Sequence, residues 1–117
     1  LPKIFHVNWF RKSPDGDWLW PGFGENMRVL EWIIQRCANK VSAHKSSIGN
    51  IPIYEDFHLE GLDFSREDFD TVMEVDPDEW ISEVESQKVF FSKVGAKLPP
   101  ELEAQRQALG TRLRGRW

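Results

Sequence analysis

A chain of 117 residues, 40% hydrophobic and 29% charged, can close one modest core and is too short for two. No run of eighteen apolar residues and no signal-peptide pattern occurs, so neither a helical membrane span nor an export leader is indicated. The net charge of −4 is unevenly spread. Residues 1–50 carry seven Lys or Arg against four Asp or Glu, residues 51–100 four against thirteen, and residues 101–117 four against two. The acidic middle argues against a nucleic-acid sheath, which needs a continuous basic footprint, whereas the basic first part would favour phosphates through its field.

Leu1-Pro2 leads straight into an apolar stretch with no initiator methionine, and the expectation is a piece cut from a longer chain. Ile4 to Phe10 reads as a strand. Alternation puts Phe5, Val7 and Trp9 on a core face and His6, Asn8 and Phe10 on a face suited to a partly polar cavity. Ser13-Pro14-Asp15-Gly16 supplies a turn, the chain returns as Trp18-Leu19-Trp20, and Pro21-Gly22 predicts a type II turn that swings Phe23 back. Gly24, Glu25 and Asn26 then open an amphipathic helix whose apolar stripe is Leu30, Ile33, Ile34, Cys37 and Ala38. Its N-terminal end carries unpaired N–H groups and partial positive charge, which suits Glu25 and puts the Asn26 carboxamide at the mouth.

Residues 39–64 read as a polar loop over Lys40–Asn50, followed by a short extended piece at Ile51–Tyr54 that Pro52 confines to a sheet edge. Residues 65–117 form a helical flank. Ser65 with Asp68 predicts a capping box and a short helix burying Phe69, Val72 and Met73, ending by Val75. Asp76 as N-cap with Pro77 at the first helical position begins a longer helix carrying Trp80, Ile81, Val84, Phe91 and Val94 until Gly95 closes it. A last helix starts near Pro99-Pro100, runs through Leu102, Leu109 and Leu113, and ends in Arg112, Arg114 and Arg116. The whole is an α+β arrangement: a short hairpin packed on an amphipathic helix (1–38), a loop with an edge strand (39–64), and about three further helices (65–117).

Chemistry is sparse. Cys37 lies alone on the apolar stripe, reads as a buried reduced thiol and indicates a reducing, cytoplasmic compartment. His44 and His58 have no second ligand at metal spacing, and the carboxylates of residues 67–79 fall at helix starts and exposed faces. There is no GxxxxGK[ST] loop, no Ser/His/Asp set and no metal cluster, so no catalytic and no metal residue is assigned.

Phe10, Trp18 and Phe23 around a glycine turn, with Asn26 at a helix start, suit a planar, hydrogen-bonding ligand such as a purine. The same spacing fits a small hairpin-on-helix core equally well. KIFHVNWFRK followed by LWPGFGENMRVLEW resembles the C-terminal region of GTP-dependent phosphoenolpyruvate carboxykinases, and the likeness continues through SSIGNIP, LEGLDF, VDPDEW and LPPEL. The resemblance implies that this chain is the last part of a larger α/β enzyme domain. It places the nucleotide site at Phe10, Trp18, Phe23, Gly24, Glu25 and Asn26: Phe10 and Phe23 would sandwich the guanine, Trp18 would stand at its edge and Asn26 at its polar rim. Many members carry Phe where Trp18 stands and Ser where Met27 stands. The parent so implied is a cytoplasmic, monomeric lyase that converts oxaloacetate and GTP to phosphoenolpyruvate, GDP and carbon dioxide in gluconeogenesis. It would use manganese or magnesium, with the metal ligands and the oxaloacetate site upstream of Leu1. The fragment alone would then be inactive, with neither nucleic acid nor membrane as partner. The alternative is a non-catalytic aromatic module that binds peptide or single-stranded RNA.

Overall fold

The computed structural model describes residues 1–115, so Arg116 lies outside the described residues. The architecture is α+β. A 3-10 turn at Phe23–Glu25 feeds helix α1 (Asn26–Cys37); strands β1 (His44–Ser46) and β2 (Gly49–Ile51) form the two-stranded sheet. A second 3-10 turn (Tyr54–Asp56) precedes α2 (Arg66–Met73), α3 (Pro77–Val94) and α4 (Pro100–Leu113). The chain divides into two compact units: Leu1–His44 with Asn50–Glu74, and Lys45–Gly49 with the described residues from Val75 on.

The first unit is built on aromatic rings. Trp20, Trp32, Phe57, Phe64 and Phe69 are its buried core. Trp20 meets Phe57 and Phe64 edge-on, with centroids 6.1 and 5.4 Å apart, and Phe5 meets Trp32 the same way at 6.2 Å. Such pairs contribute roughly 0.5–1.5 kcal/mol beyond the area they bury, because ring edges and faces carry opposite partial charge. The Trp32 indole N–H is buried here without a hydrogen-bond partner.

The predicted first hairpin contracts to a single antiparallel bridge, Lys12 to Trp18. Its turn forms as expected: Gly16 N–H donates to Ser13 O at 2.9 Å, and Gly16 takes φ 87°. Ile4 to Phe10 pairs with no strand, yet the alternation survives, with Phe5, Val7 and Trp9 half-buried and His6, Asn8 and Phe10 exposed. Side-chain burial sets the alternation; a ladder needs a backbone partner as well. The Asn8 carboxamide oxygen instead accepts from Phe10 N–H at 2.9 Å. Next in the chain, Arg11 donates to the carbonyls of Val72 (2.8 Å) and Glu74 (2.6 Å), tying this segment to the C-terminal end of α2.

Pro21-Gly22 is not a type II turn. Gly22 adopts φ 104° and ψ −154°, a region that side chains with a Cβ essentially never occupy. A real hairpin occurs later, at β1 and β2, where the sequence reads as polar loop. There Ser46 Oγ donates to Gly49 O at 2.8 Å, and Gly49 takes φ 133°.

Helix α1 turns inward a stripe that shares only Ile33 with the predicted one. Val29, Trp32 and Ile33 face the core, with Arg28 and Arg36 half-buried alongside. Leu30, Ile34, Cys37 and Ala38 are exposed, Ile34 at 67%, so Cys37 is not a core thiol. Both stripes have helical period; the large indole of Trp32 sets the inward one. Phe23, Met27, Leu30, Ile34 and Cys37 thus form an apolar row on the outer face. Helix α2 follows expectation, with a reciprocal capping box between Ser65 and Asp68 and with Phe69 buried.

The second unit is a helix pair. Asp76 caps α3 by accepting from Asp78 N (2.9 Å) and Glu79 N (3.3 Å), and Gly95 ends it at φ 65°. Val84 is fully buried, whereas Val94 is exposed. On α4 the packing face holds Arg106, Leu109, Gly110 and Leu113, while Leu102 is exposed. Arg106 donates to Val84 O at 3.3 Å and pairs two-pronged with Glu103 at 2.7 and 3.0 Å. These hydrogen bonds, from Arg106 first and Gln107 second, pull the Glu103 carboxyl down to about 2. Arg112 closes the unit on Ser47 O at 2.8 Å.

Candidate functional site

The site sits in the first unit, where the single bridge and the start of α1 come together in sequence. Strict alternation would set Trp18 and Trp20, two residues apart, on one face, but the chain bends at Leu19 and Trp20 directly after the bridge, and the two indoles differ in burial. Trp18 is 57% exposed; its partner two residues on is the 7%-exposed Trp20 of the core. Phe10 and Trp18 stack edge-on at 5.9 Å with ring planes at 64°, and Lys12 Nζ lies 4.4 Å from the Trp18 ring centre. Two of the expected wall residues are therefore in contact, with a cation over one of them.

Phe23 is 94% exposed and makes no ring contact with Phe10 or Trp18 among the described residues. It is held out by backbone: the left-handed Gly22 turns the chain, and Glu25 N–H donates to Gly22 O at 3.0 Å to start the 3-10 turn. Asn26 N–H donates to Phe23 O in the same turn. The first-turn N–H groups that stay outside this bonding are those of Phe23 and Gly24, which sit at the positive end of α1. Space next to Gly24 is open, since a Cβ there would meet nothing within 4 Å.

Glu25 turns to its own helix. Its carboxylate accepts from Arg28 Nε at 2.6 Å, and Arg28 also donates to the carbonyls of His58 (3.0 Å) and Glu60 (2.9 Å). Arg28 thereby clamps the loop after the second 3-10 turn onto the first turn of α1. His58 ties to the same helix, with Nδ1 3.1 Å from Glu31 Oε2. No group of three or more His, Cys, Asp or Glu able to hold a metal ion occurs among the described residues.

Asn26 is half-buried, and its Oδ1 accepts from Trp20 Nε1 at 2.9 Å. The sequence places Trp20 only in the returning segment Trp18-Leu19-Trp20. The signal available was chemical: a buried indole still has to place its N–H, and the Asn26 carboxamide at the start of α1 offers an acceptor.

The arrangement offers two exposed rings in contact, a third ring projecting from a glycine-led turn, two backbone donors and an anchored carboxamide. It can hold a flat heteroaromatic group by its faces and read its edge; it contains no nucleophile and no acid–base pair. Residues 1–112 match the family described as the phosphoenolpyruvate carboxykinase C-terminal P-loop domain. The chain is 44% identical over 113 residues to the phosphoenolpyruvate carboxykinase [GTP] of Paenarthrobacter aurescens (strain TC1), which covers 97% of this chain and 19% of that protein. It is 45% identical, with the same coverage, to that of Anaeromyxobacter dehalogenans (strain 2CP-1 / ATCC BAA-258). To that of Corynebacterium efficiens it is 41% identical, covering 97% of this chain and 18% of that protein. The chain thus spans about a fifth of the length of the curated relatives it matches, and it belongs to the GTP-dependent phosphoenolpyruvate carboxykinase family, in that family's C-terminal P-loop domain.

Proposed function

We propose that this chain is the guanine-binding segment of a GTP-dependent phosphoenolpyruvate carboxykinase, whose whole protein converts oxaloacetate and GTP to phosphoenolpyruvate, GDP and carbon dioxide. The observation that carries this reading is the exposed Phe10–Trp18 pair, close in sequence to the exposed Phe23 and to Asn26 at the start of α1, in a chain of that family. Phe10 and Phe23 take the two faces of the base, Trp18 walls its edge, and Asn26 with the N–H groups of Phe23 and Gly24 meets its polar rim. Glu25 contributes by pairing with Arg28, which steadies the turn. Exposed aromatic faces have a use here: base stacking contributes roughly 1–3 kcal/mol per ring, which a ring packed in a core could not supply to a ligand.

Decarboxylation, phosphoryl transfer and metal ligation are assigned to the part of the protein outside this chain. No group of three or more His, Cys, Asp or Glu among the described residues fits a manganese or magnesium ion. The exposed row of Phe23, Met27, Leu30, Ile34 and Cys37 supports the reading of a segment that works within a longer polypeptide. A cytoplasmic setting accords with a single cysteine that has no internal partner.

The test is nucleotide binding by the full-length protein that carries this chain. Phe10→Ala and Phe23→Ala are expected each to weaken GDP about five- to a hundredfold, the span that one base stack represents, and to leave oxaloacetate affinity unchanged. Unchanged GDP affinity in both variants would overturn the reading. The isolated 117-residue chain is expected to show no carboxykinase turnover; metal-dependent formation of phosphoenolpyruvate by it would contradict the assignment of the chemistry elsewhere.

A further inference from the structure

The edge of the proposed pocket has a polarity, and the core sets it. A free carboxamide offers an acceptor and a donor that exchange places by a half-turn about the Cβ–Cγ–amide axis, so an unanchored Asn26 could meet either a keto or an amino group on a purine. Trp20 removes that freedom. An indole nitrogen is a donor only, and it lies 2.9 Å from the Asn26 side chain, so the atom facing it has to be the carbonyl oxygen; the flipped rotamer would oppose two N–H groups. The amide NH2 is then the end left for a ligand. Trp20 itself cannot follow a ligand, because it is 7% exposed and its ring is held edge-on by Phe57 at 6.1 Å and Phe64 at 5.4 Å.

We infer that Trp20 is a positioning residue that turns Asn26 into an obligate hydrogen-bond donor toward the bound base, so that the site selects purines carrying a keto oxygen at C6 over those carrying an amino group. This rests on the nucleotide reading above. Guanine and hypoxanthine present an acceptor at O6 to the fixed NH2. Adenine presents an N–H of its own at that place, and two facing donors leave a desolvated polar group unpaired. The selectivity is therefore generated by a core residue that does not touch the ligand.

The experiment measures binding of GDP, IDP and ADP to the full-length protein that carries this chain, with a melting curve for every variant. Trp20→Phe keeps the ring and deletes the N–H. The preference for GDP and IDP over ADP is expected to fall about tenfold, with ADP holding or gaining affinity, because the freed carboxamide can now flip. A purely structural role for Trp20 would instead weaken all three nucleotides alike, and that outcome, or an unchanged preference, overturns the inference. Asn26→Asp gives a second arm that leaves the core intact. Its carboxylate still accepts from Trp20 but has no donor to offer, so the preference is expected to swing toward ADP; retained GDP preference overturns the inference even if Trp20→Phe fails to fold. Phe23→Ala separates the two levels of argument. If it weakens all three nucleotides while Trp20→Phe and Asn26→Asp leave the ratios untouched, only the role of Trp20 falls; if it changes none, the nucleotide reading falls and this inference with it.

Discussion

The two units of the chain solve the problem of a small core by opposite means. In the first, little of the backbone outside α1 and α2 is regular, and five buried rings hold loops and helices together. In the second, two regular helices meet over a thin seam that buries Val84, Gly110 and Leu113 with Leu109 half-buried beside them, and Arg106, paired within α4 to Glu103, donates to Val84 O. Aromatic packing tolerates irregular backbone because a ring buries much area from one attachment point. The polar helix seam needs the repeating geometry of α3 and α4 to place its few contacts. A consequence for function is that loops can stay where a ligand needs them in the first unit, and the candidate site lies there.

The largest expected effect breaks the aromatic side of this contrast. Phe69→Ala deletes a buried ring in contact with Tyr54 (5.4 Å) and Phe57 (5.8 Å), and is expected to cost about 3–5 kcal/mol in denaturant unfolding of the first unit. A loss below about 1 kcal/mol would mean that the rings are not what holds the unit.

Phe23→Ala probes an aromatic of the same unit that the core does not use. With 94% of its surface exposed it is expected to leave the melting temperature of the full-length protein unchanged, although GDP binding weakens by roughly 1–3 kcal/mol. A large drop in stability without change in binding would return Phe23 to a structural role.

Acid sharpens the view of the second unit. The Glu103 carboxyl, held by Arg106 and Gln107, titrates at about 2 against an ordinary 4.5. Its depressed value means that the pairing stabilises the helix pair fully above pH 4.5 and loses that contribution as pH falls toward 2. Glu103→Gln is expected to flatten this acid limb in helicity measured by circular dichroism; an unaltered limb would show the pair to be dispensable.

The smallest expected effect is at Gly110, buried in the last turn of α4. A Cβ built there lies 3.6 Å from Val84 Cγ1, an ordinary contact, and 2.9 Å from the end of the flexible Arg114 side chain. Gly110→Ala is therefore expected to be tolerated, and to stabilise α4 by up to about 1 kcal/mol through helix propensity. Destabilisation by more than that would show that the seam between α3 and α4 is tighter than these distances indicate.

Much of the molecule is determined locally and could be read from the sequence. The Ser13–Gly16 turn, the Ser65–Asp68 capping box, Asp76 as N-cap and Gly95 as the stop of α3 each depend on residues within a few positions of one another. The alternation over Phe5 to Phe10 also stands, since each side chain's burial follows from its own backbone direction. Tertiary structure alone decided the rest. The period of α1 was legible but its phase was not, because two apolar stripes share that period and only packing of Trp32 against Phe5 selects the inner one. Whether Ile4 to Phe10 became a strand depended on a backbone partner, and Arg11, bonded to carbonyls some sixty positions away, anchors the segment elsewhere. The residues of the candidate site follow from the family resemblance, since their spacing fits a small core equally well, but the proposed polarity of its edge comes from Trp20, whose position is set by Phe57 and Phe64 far along the chain. Local spacing can specify turns, caps and periods; which face turns inward, and which atom of Asn26 looks outward, is settled only when distant rings close on one another.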